Sequence, residues 1–169
     1  MMRFNQNIVE IDPGAETERI VGFLKRNVRG EMKRRGAVVG ISGGIDSAVV
    51  LALSVRAFGA KNVTAVMMPD RDSDPISEKF ARDLAARYGV EPILEDITEA
   101  LEGFDCYRRR DDAIRRVFPE YDAARGYKAK IVLPQDLLEA GTFNVYSVTV
   151  IDPGGRAETR PLGPREMLE

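Results

Sequence analysis

Two serines, an aspartate and three glycines crowd into eight residues, Gly40-Ile41-Ser42-Gly43-Gly44-Ile45-Asp46-Ser47. Ser42 and Ser47 carry hydroxyl donors, Asp46 carries a carboxylate, and Gly43 and Gly44 leave the backbone bare enough to fold tightly and be approached closely. The apolar run Ala37-Val38-Val39 precedes this stretch, and a long apolar, helix-forming run from Ala48 to Phe58 follows it. The order reads as strand, glycine turn, helix start. Backbone N–H groups in such a turn and in the first helical turn lack intrahelical partners, and the helix dipole favours negative charge there. The chemistry is that of an anion site. Asp46 would repel a phosphate unless a divalent cation lay between them.

Three familiar glycine motifs do not fit. A phosphate loop of the Walker type needs a lysine after its second glycine, and residues 37–60 contain none. A dinucleotide fingerprint needs glycine where Ser42 stands. Gly40-Ile41-Ser42-Gly43-Gly44 does match the G-x-S-x-G nucleophile elbow. That serine needs a base, normally histidine, and the chain has no histidine. The plainest alternative is a simple connecting turn with Asp46 as a helix cap. A simple turn has no use for two glycines, two serines and an aspartate together.

The run Ser42-Gly43-Gly44-Ile45-Asp46-Ser47 resembles the pyrophosphatase loop of ATP-using amide and thio ligases, whose signature is Ser-Gly-Gly-x-Asp-Ser. The setting between strand and helix is the one that motif requires.

The elements around it alternate. An amphipathic helix is expected from Ala15 to Arg35, then a strand Ala37–Ile41, apolar on both faces as in a buried parallel strand. A helix Ser47–Phe58 and a strand Asn62–Met68 follow, broken by Pro69-Asp70. Pro75 suits a first helical position capped by Asp74 or Ser73. Ile76, Phe80, Leu84 and Tyr88 mark an apolar face of that helix. Pro92–Leu94 reads as a third, short strand. This alternation predicts an α/β fold: an open parallel sheet with helices on both faces. Ligands in such sheets bind at the carboxyl ends of strands, so the glycine turn and Met68-Pro69 should share one crevice.

Beyond Asp96 the pattern changes. Asp96 caps an expected helix Ile97–Leu101. Arg108–Phe118 reads as a helix whose arginines face Asp111 and Asp112, a solvated face with internal ion pairs more readily than a phosphate clamp. Phe143–Ile151 and the turn Asp152-Pro153-Gly154-Gly155 predict a C-terminal β-hairpin. Leu162–Glu169 reads as the start of a helix. The division expected is a lead-in over residues 1–14 and one α/β domain over 15–169, incomplete at its C-terminus.

The 169 residues allow one ordinary core. A 44% hydrophobic and 31% charged composition is that of a globular chain. A net charge of −2 gives no reason to expect nucleic acid. No apolar run nears the ~20 residues a membrane helix needs. Met1–Asp12 lacks an apolar signal core, which points to the cytoplasm. Cys106, the single cysteine, makes neither an internal disulfide nor, without histidine, a zinc site.

Taken with the wider run Val39–Leu53, with Met68-Pro69 and with the early position of the loop, the chain is similar to ammonia-dependent NAD synthases over about residues 17–97. The resemblance implies an adenine-nucleotide α-hydrolase-like, Rossmann-like fold and an ATP-dependent amide-forming ligase. In that family the substrate carboxylate of deamido-NAD attacks the α-phosphorus of ATP, pyrophosphate leaves, and ammonia displaces AMP. The resemblance also implies ATP binding by Gly40, Ile41, Ser42, Gly43, Gly44, Ile45, Asp46, Ser47 and Met68. The N–H groups of Gly43, Gly44 and Ile45 would hold the pyrophosphate, the Ser42 and Ser47 hydroxyls would donate to it, and Asp46 would bind Mg²⁺. It implies a homodimer as well. The family's substrate-binding asparagine-and-arginine stretch has no counterpart here, and family members run roughly a hundred residues longer. A nucleotide-binding module without turnover, or another ligase or thiolation enzyme sharing the loop, remain the alternatives.

Overall fold

The computed structural model describes residues 10–133 and 146–166. By its internal contacts the chain divides into two compact units, Met1–Thr98 and Glu99–Glu169, where the sequence suggests one domain from residue 15 onward.

The first unit runs α1 (Pro13–Leu24), β1 (Ala37–Gly40), α2 (Ile45–Phe58), β2 (Val63–Met67), α3 (Pro75–Arg87) and β3 (Ile93–Leu94). The strands form a parallel sheet in the order β1-β2-β3, with Ala37 opposite Val63 and Gly40 opposite Val66. Asp12 caps α1 through Gly14 and Ala15, ahead of Pro13 at the first helical position. The expected helix to Arg35 keeps α-geometry only to Leu24, and Lys25–Glu31 is a wider π-turn segment. There Asn27 Nδ2 donates to the Phe23 carbonyl at 2.9 Å, a side-chain bond that competes with the regular ladder.

One hydrophobic core gathers Val39, Ala65 and Met67 from the sheet with Leu51, Phe58, Ala81 and Ala85 from α2 and α3. Both crossover helices therefore lie on the sheet face that carries Val39. The opposite face is open: Val38 is 74% exposed, against 5% for Val39. The strand expected to be buried on both faces is buried on one, because among the described residues no helix of this unit reaches the other. The face predicted for α3 also differs. Ala81 and Ala85 are buried while Ile76 and Phe80 stand half exposed. Alanines let α3 approach the sheet closely; of the expected stripe, Leu84 packs against the core, while Ile76, Phe80 and Tyr88 are left to the outside.

The second unit contains α4 (Thr98–Gly103, beginning at the boundary), α5 (Cys106–Val117) and an antiparallel sheet of β4 (Lys128–Val132), β5 (Ser147–Ile151) and β6 (Ala157–Pro161). The β5–β6 hairpin is the one expected, turning at Asp152–Gly155. Strand β4, which pairs Lys128 with Ile151, is an addition to it. Ile114, Phe118, Tyr121, Val148, Val150 and Leu162 form a separate core. Arg108 is paired with Asp105 and Asp112, Arg115 with Asp112 and Arg110 with Asp111, so the arginine-rich helix is laced by local ion pairs. Residues 164–166 form a turn rather than a helix, and 167–169, like 143–145 of the expected strand, lie outside the described residues.

Candidate nucleotide-binding site

The Ser-Gly-Gly turn leaves β1 and enters α2 directly. Gly43 sits at φ +77°, a left-handed conformation that side chains resist. A Cβ there would also run into the Ser77 carbonyl of α3. Two independent constraints, backbone and neighbour, therefore require glycine at this position.

Gly44 is the residue before α2, and no side chain caps the helix, whereas Asp12 caps α1 and Asp74 caps α3. The first intrahelical bond is Ala48 N–H to the Gly44 carbonyl at 3.1 Å. The N–H groups of Ile45, Asp46 and Ser47 precede it and have no partner among the described residues. The two serines turn inward. Ser47 Oγ donates to the Gly44 carbonyl at 3.0 Å and accepts from Ser42 N–H at 3.2 Å. Ser42 Oγ lies 3.3 Å from Ser47 Oγ and accepts weakly from Gly44 N–H at 3.4 Å. The serines thus shape the loop in this state. At the helix start the unpaired donors sit at Ile45–Ser47; of the expected Gly43–Ile45 set, Gly44 N–H is engaged by Ser42 Oγ, while the N–H groups of Gly43 and Ile45 have no partner among the described residues.

Beside the loop opens a cavity of about 540 Å³. Its walls are the end of β1 (Gly40, Ile41, Ser42), the end of β2 (Met67, Met68, Pro69) and the start of α3 (Ser73, Asp74, Ser77, Glu78). Gly40, Ile41, Ser42 and Met68 are brought together as the sequence suggested. Gly43 to Ser47 do not line this space and flank it at the turn. The α3 wall was missed as a site. Its signal was present in Pro75, which starts a helix straight after the β2 end and so aims its first turn at the strand's carboxyl end.

Asp46 is exposed in the first turn of α2. Among the described residues no cluster of three or more metal-ligating side chains exists. A single open carboxylate beside unpaired amides fits Mg²⁺, which is commonly held by one or two carboxylates with phosphate oxygens and water completing the shell. Asp96, at the end of β3, accepts from Thr98 N–H at 2.8 Å. Hydrogen bonds from Thr98 hold its carboxyl below the usual range, with the nearby Asp70 opposing.

A parallel sheet, a glycine turn at its first strand end and an uncapped helix behind it define the class: a Rossmann-like α/β protein with a pyrophosphatase-type loop. Within that class the NAD synthase family model matches residues 16–125, and the chain belongs to that family. The NH(3)-dependent NAD(+) synthetase of Mesorhizobium japonicum is 44% identical over 162 residues, covering 96% of this chain and 50% of that protein. The corresponding protein of Thermotoga maritima is 36% identical, covering 90% of this chain and 47% of its own length. The solved NH3-dependent NAD synthetase of Campylobacter jejuni superposes with a TM-score of 0.52 at 34% identity, over 56% of this chain and 41% of that one. The chain spans about half the length of the curated relatives it matches.

Proposed function

We propose that this chain supplies the ATP-gripping part of an ammonia-dependent NAD synthase. The observation that carries the reading is the uncapped start of α2 within an intact Ser-Gly-Gly-x-Asp-Ser loop, facing the end of a parallel strand beside a cavity. Family membership supports the reaction class. Ile45, Asp46 and Ser47 N–H groups bind phosphate oxygens, each charge-assisted bond contributing roughly 1.5–3 kcal/mol. Gly40, Ile41 and Met68 receive the nucleoside. The carboxylate of deamido-NAD forms a bond to the α-phosphorus as pyrophosphate departs. Ammonia then forms the amide bond and AMP leaves. Asp46 holds Mg²⁺, which when bound offsets the negative charge of the departing pyrophosphate. The enzyme works in the cytoplasm as a homodimer.

The alternative, nucleotide binding without turnover, is the reading that family membership does not favour. Incubation with deamido-NAD, ammonia, ATP and Mg²⁺ separates the two. Equimolar NAD and AMP support a complete ligase. ATP-dependent stabilisation without AMP supports the binding module. Absence of both overturns the ATP assignment.

A further inference from the structure

We infer that Glu78, with the Ser77 hydroxyl beside it, reads the ribose diol of the nucleotide and so discriminates against deoxynucleotides at the sugar; the inference rests on the ATP reading above. Both residues stand in the first turn of α3 and line the cavity. Their polar neighbours on the same wall are occupied. Ser73 Oγ donates to Asp70 Oδ1 at 2.8 Å and accepts from Asp70 N–H at 3.0 Å. Asp74 Oδ1 accepts from Ile76 N–H at 2.9 Å as the helix cap. Glu78 is held by one oxygen only: Arg82 Nε donates to Oε1 at 2.8 Å, and a second guanidinium nitrogen lies 2.8 Å from the same oxygen. Glu78 Oε2 and Ser77 Oγ have no partner among the described residues. An i,i+4 pair of this kind stabilises a helix only slightly. Fixing one carboxylate oxygen, however, leaves the other pre-set for a ligand.

Charge sets which end of a nucleotide meets this wall. The cavity lining includes Asp74 and Glu78 and neither lysine nor arginine. A polyphosphate is repelled there and drawn to the open amides of Ile45–Ser47 at the turn. The nucleoside end then faces α3. An ionised carboxylate only accepts hydrogen bonds. Adenine offers it one amine, beside a ring nitrogen whose lone pair repels it. The ribose offers two adjacent hydroxyls, both free to donate, and an acidic side chain on a ribose hydroxyl is a known means of holding a nucleotide sugar. The Ser77 carbonyl lies against the position of Gly43. That close approach fixes the start of α3 to the loop, so the fold itself sets the span from the open amides to Glu78.

The test is a binding cycle between side chain and sugar, read by calorimetric titration. The parent and Glu78→Ala are each titrated with the magnesium complexes of ATP, 2′-deoxyATP, 3′-deoxyATP, purine riboside triphosphate and pyrophosphate. In the parent each deoxynucleotide should bind about tenfold more weakly than ATP, the loss expected for one charge-assisted hydrogen bond. In Glu78→Ala, ATP should fall to the level of the deoxynucleotides, and pyrophosphate should bind as it does to the parent. Equal binding of ATP and both deoxynucleotides by the parent overturns the inference and leaves the ATP reading standing. Binding of neither ATP nor pyrophosphate by the parent removes both. Sugar discrimination retained by Glu78→Ala overturns the inference. Pyrophosphate binding lost in that variant does so too, since it gives Glu78 a role in the shape of the loop. If the variant instead loses discrimination against purine riboside triphosphate, which lacks the amine, and keeps it against the deoxynucleotides, the carboxylate reads the base and the inference fails.

Discussion

Two glycine pairs, each with an aspartate nearby, do opposite things in this protein. At Gly154-Gly155 the turn consumes its own donors: Gly155 N–H bonds the Asp152 carbonyl at 2.9 Å, Asp152 N–H bonds Arg156, and Arg156 N–H bonds Asp152 Oδ1 at 2.9 Å. At Gly43-Gly44 the serines tie the bend, yet three successive amides at the start of α2 stay open. Gly155, at φ +84°, has empty space where a Cβ would go, while Gly43, at +77°, has α3 against it. A turn that only reverses the chain closes its hydrogen bonds. The proposed anion site depends on donors left open in this way, and that is the difference the residue types alone do not show.

Substitutions at the two turns sharpen this contrast. Gly43→Ala should cost about 2–4 kcal/mol, combining left-handed strain with overpacking against Ser77. It should also abolish stabilisation by Mg-ATP, as read by urea unfolding with and without nucleotide. Gly155→Ala meets only the backbone term and should cost about 1–2 kcal/mol, leaving nucleotide response intact. Equal losses at the two sites would break the comparison. Ser47→Ala removes a bond to Gly44 and one from Ser42, and should cost about 1 kcal/mol in chemical denaturation. Asp46→Asn should leave unfolding within about 0.5 kcal/mol of the parent. Its effect belongs to binding: the Mg²⁺-dependent part of the ATP-induced rise in Tm should vanish. An Asp46→Asn chain that kept this part would remove the metal role.

The smallest effect distinguishes the two units in acid. Asp105, in the second unit, is held below the usual carboxylate range by its hydrogen bond from Arg108, and Asp96, in the first, by Thr98. A carboxyl with a lower pKa folded than unfolded stabilises the fold fully above its unfolded value, about 3.9, and ceases to as pH falls through the folded value. Arg108→Gln should therefore raise the Asp105 titration midpoint in carbon-detected NMR while that of Asp96 stays put.

Local chemistry was legible in the chain itself. The strand-turn-helix order around Ser42–Ser47, the capping of α3 by Asp74 before Pro75, and the Asp152–Gly155 hairpin each depend on residues within a few positions of one another. Features set by distant neighbours were not. Apolar periodicity named Ile76, Phe80, Leu84 and Tyr88 as the buried side of α3; Leu84 does pack against the core, but Ala81 and Ala85 take the fully buried positions because the sheet admits small side chains closest. Strand β4 was invisible because Lys128 and Lys130 carry no apolar alternation, and its pairing with β5 supplies what the pattern lacks. Likewise Val38 and Val39 read alike as sequence. Only packing buries one and exposes the other, since both crossover helices fall on a single face of the sheet. The chain by itself determined where an anion site is to be proposed, because unpaired helix-start amides are a local property. The tertiary structure decided which of those amides stay unspent and what stands across from them, because that depends on Ser77 and the β2 end arriving from more than twenty residues away.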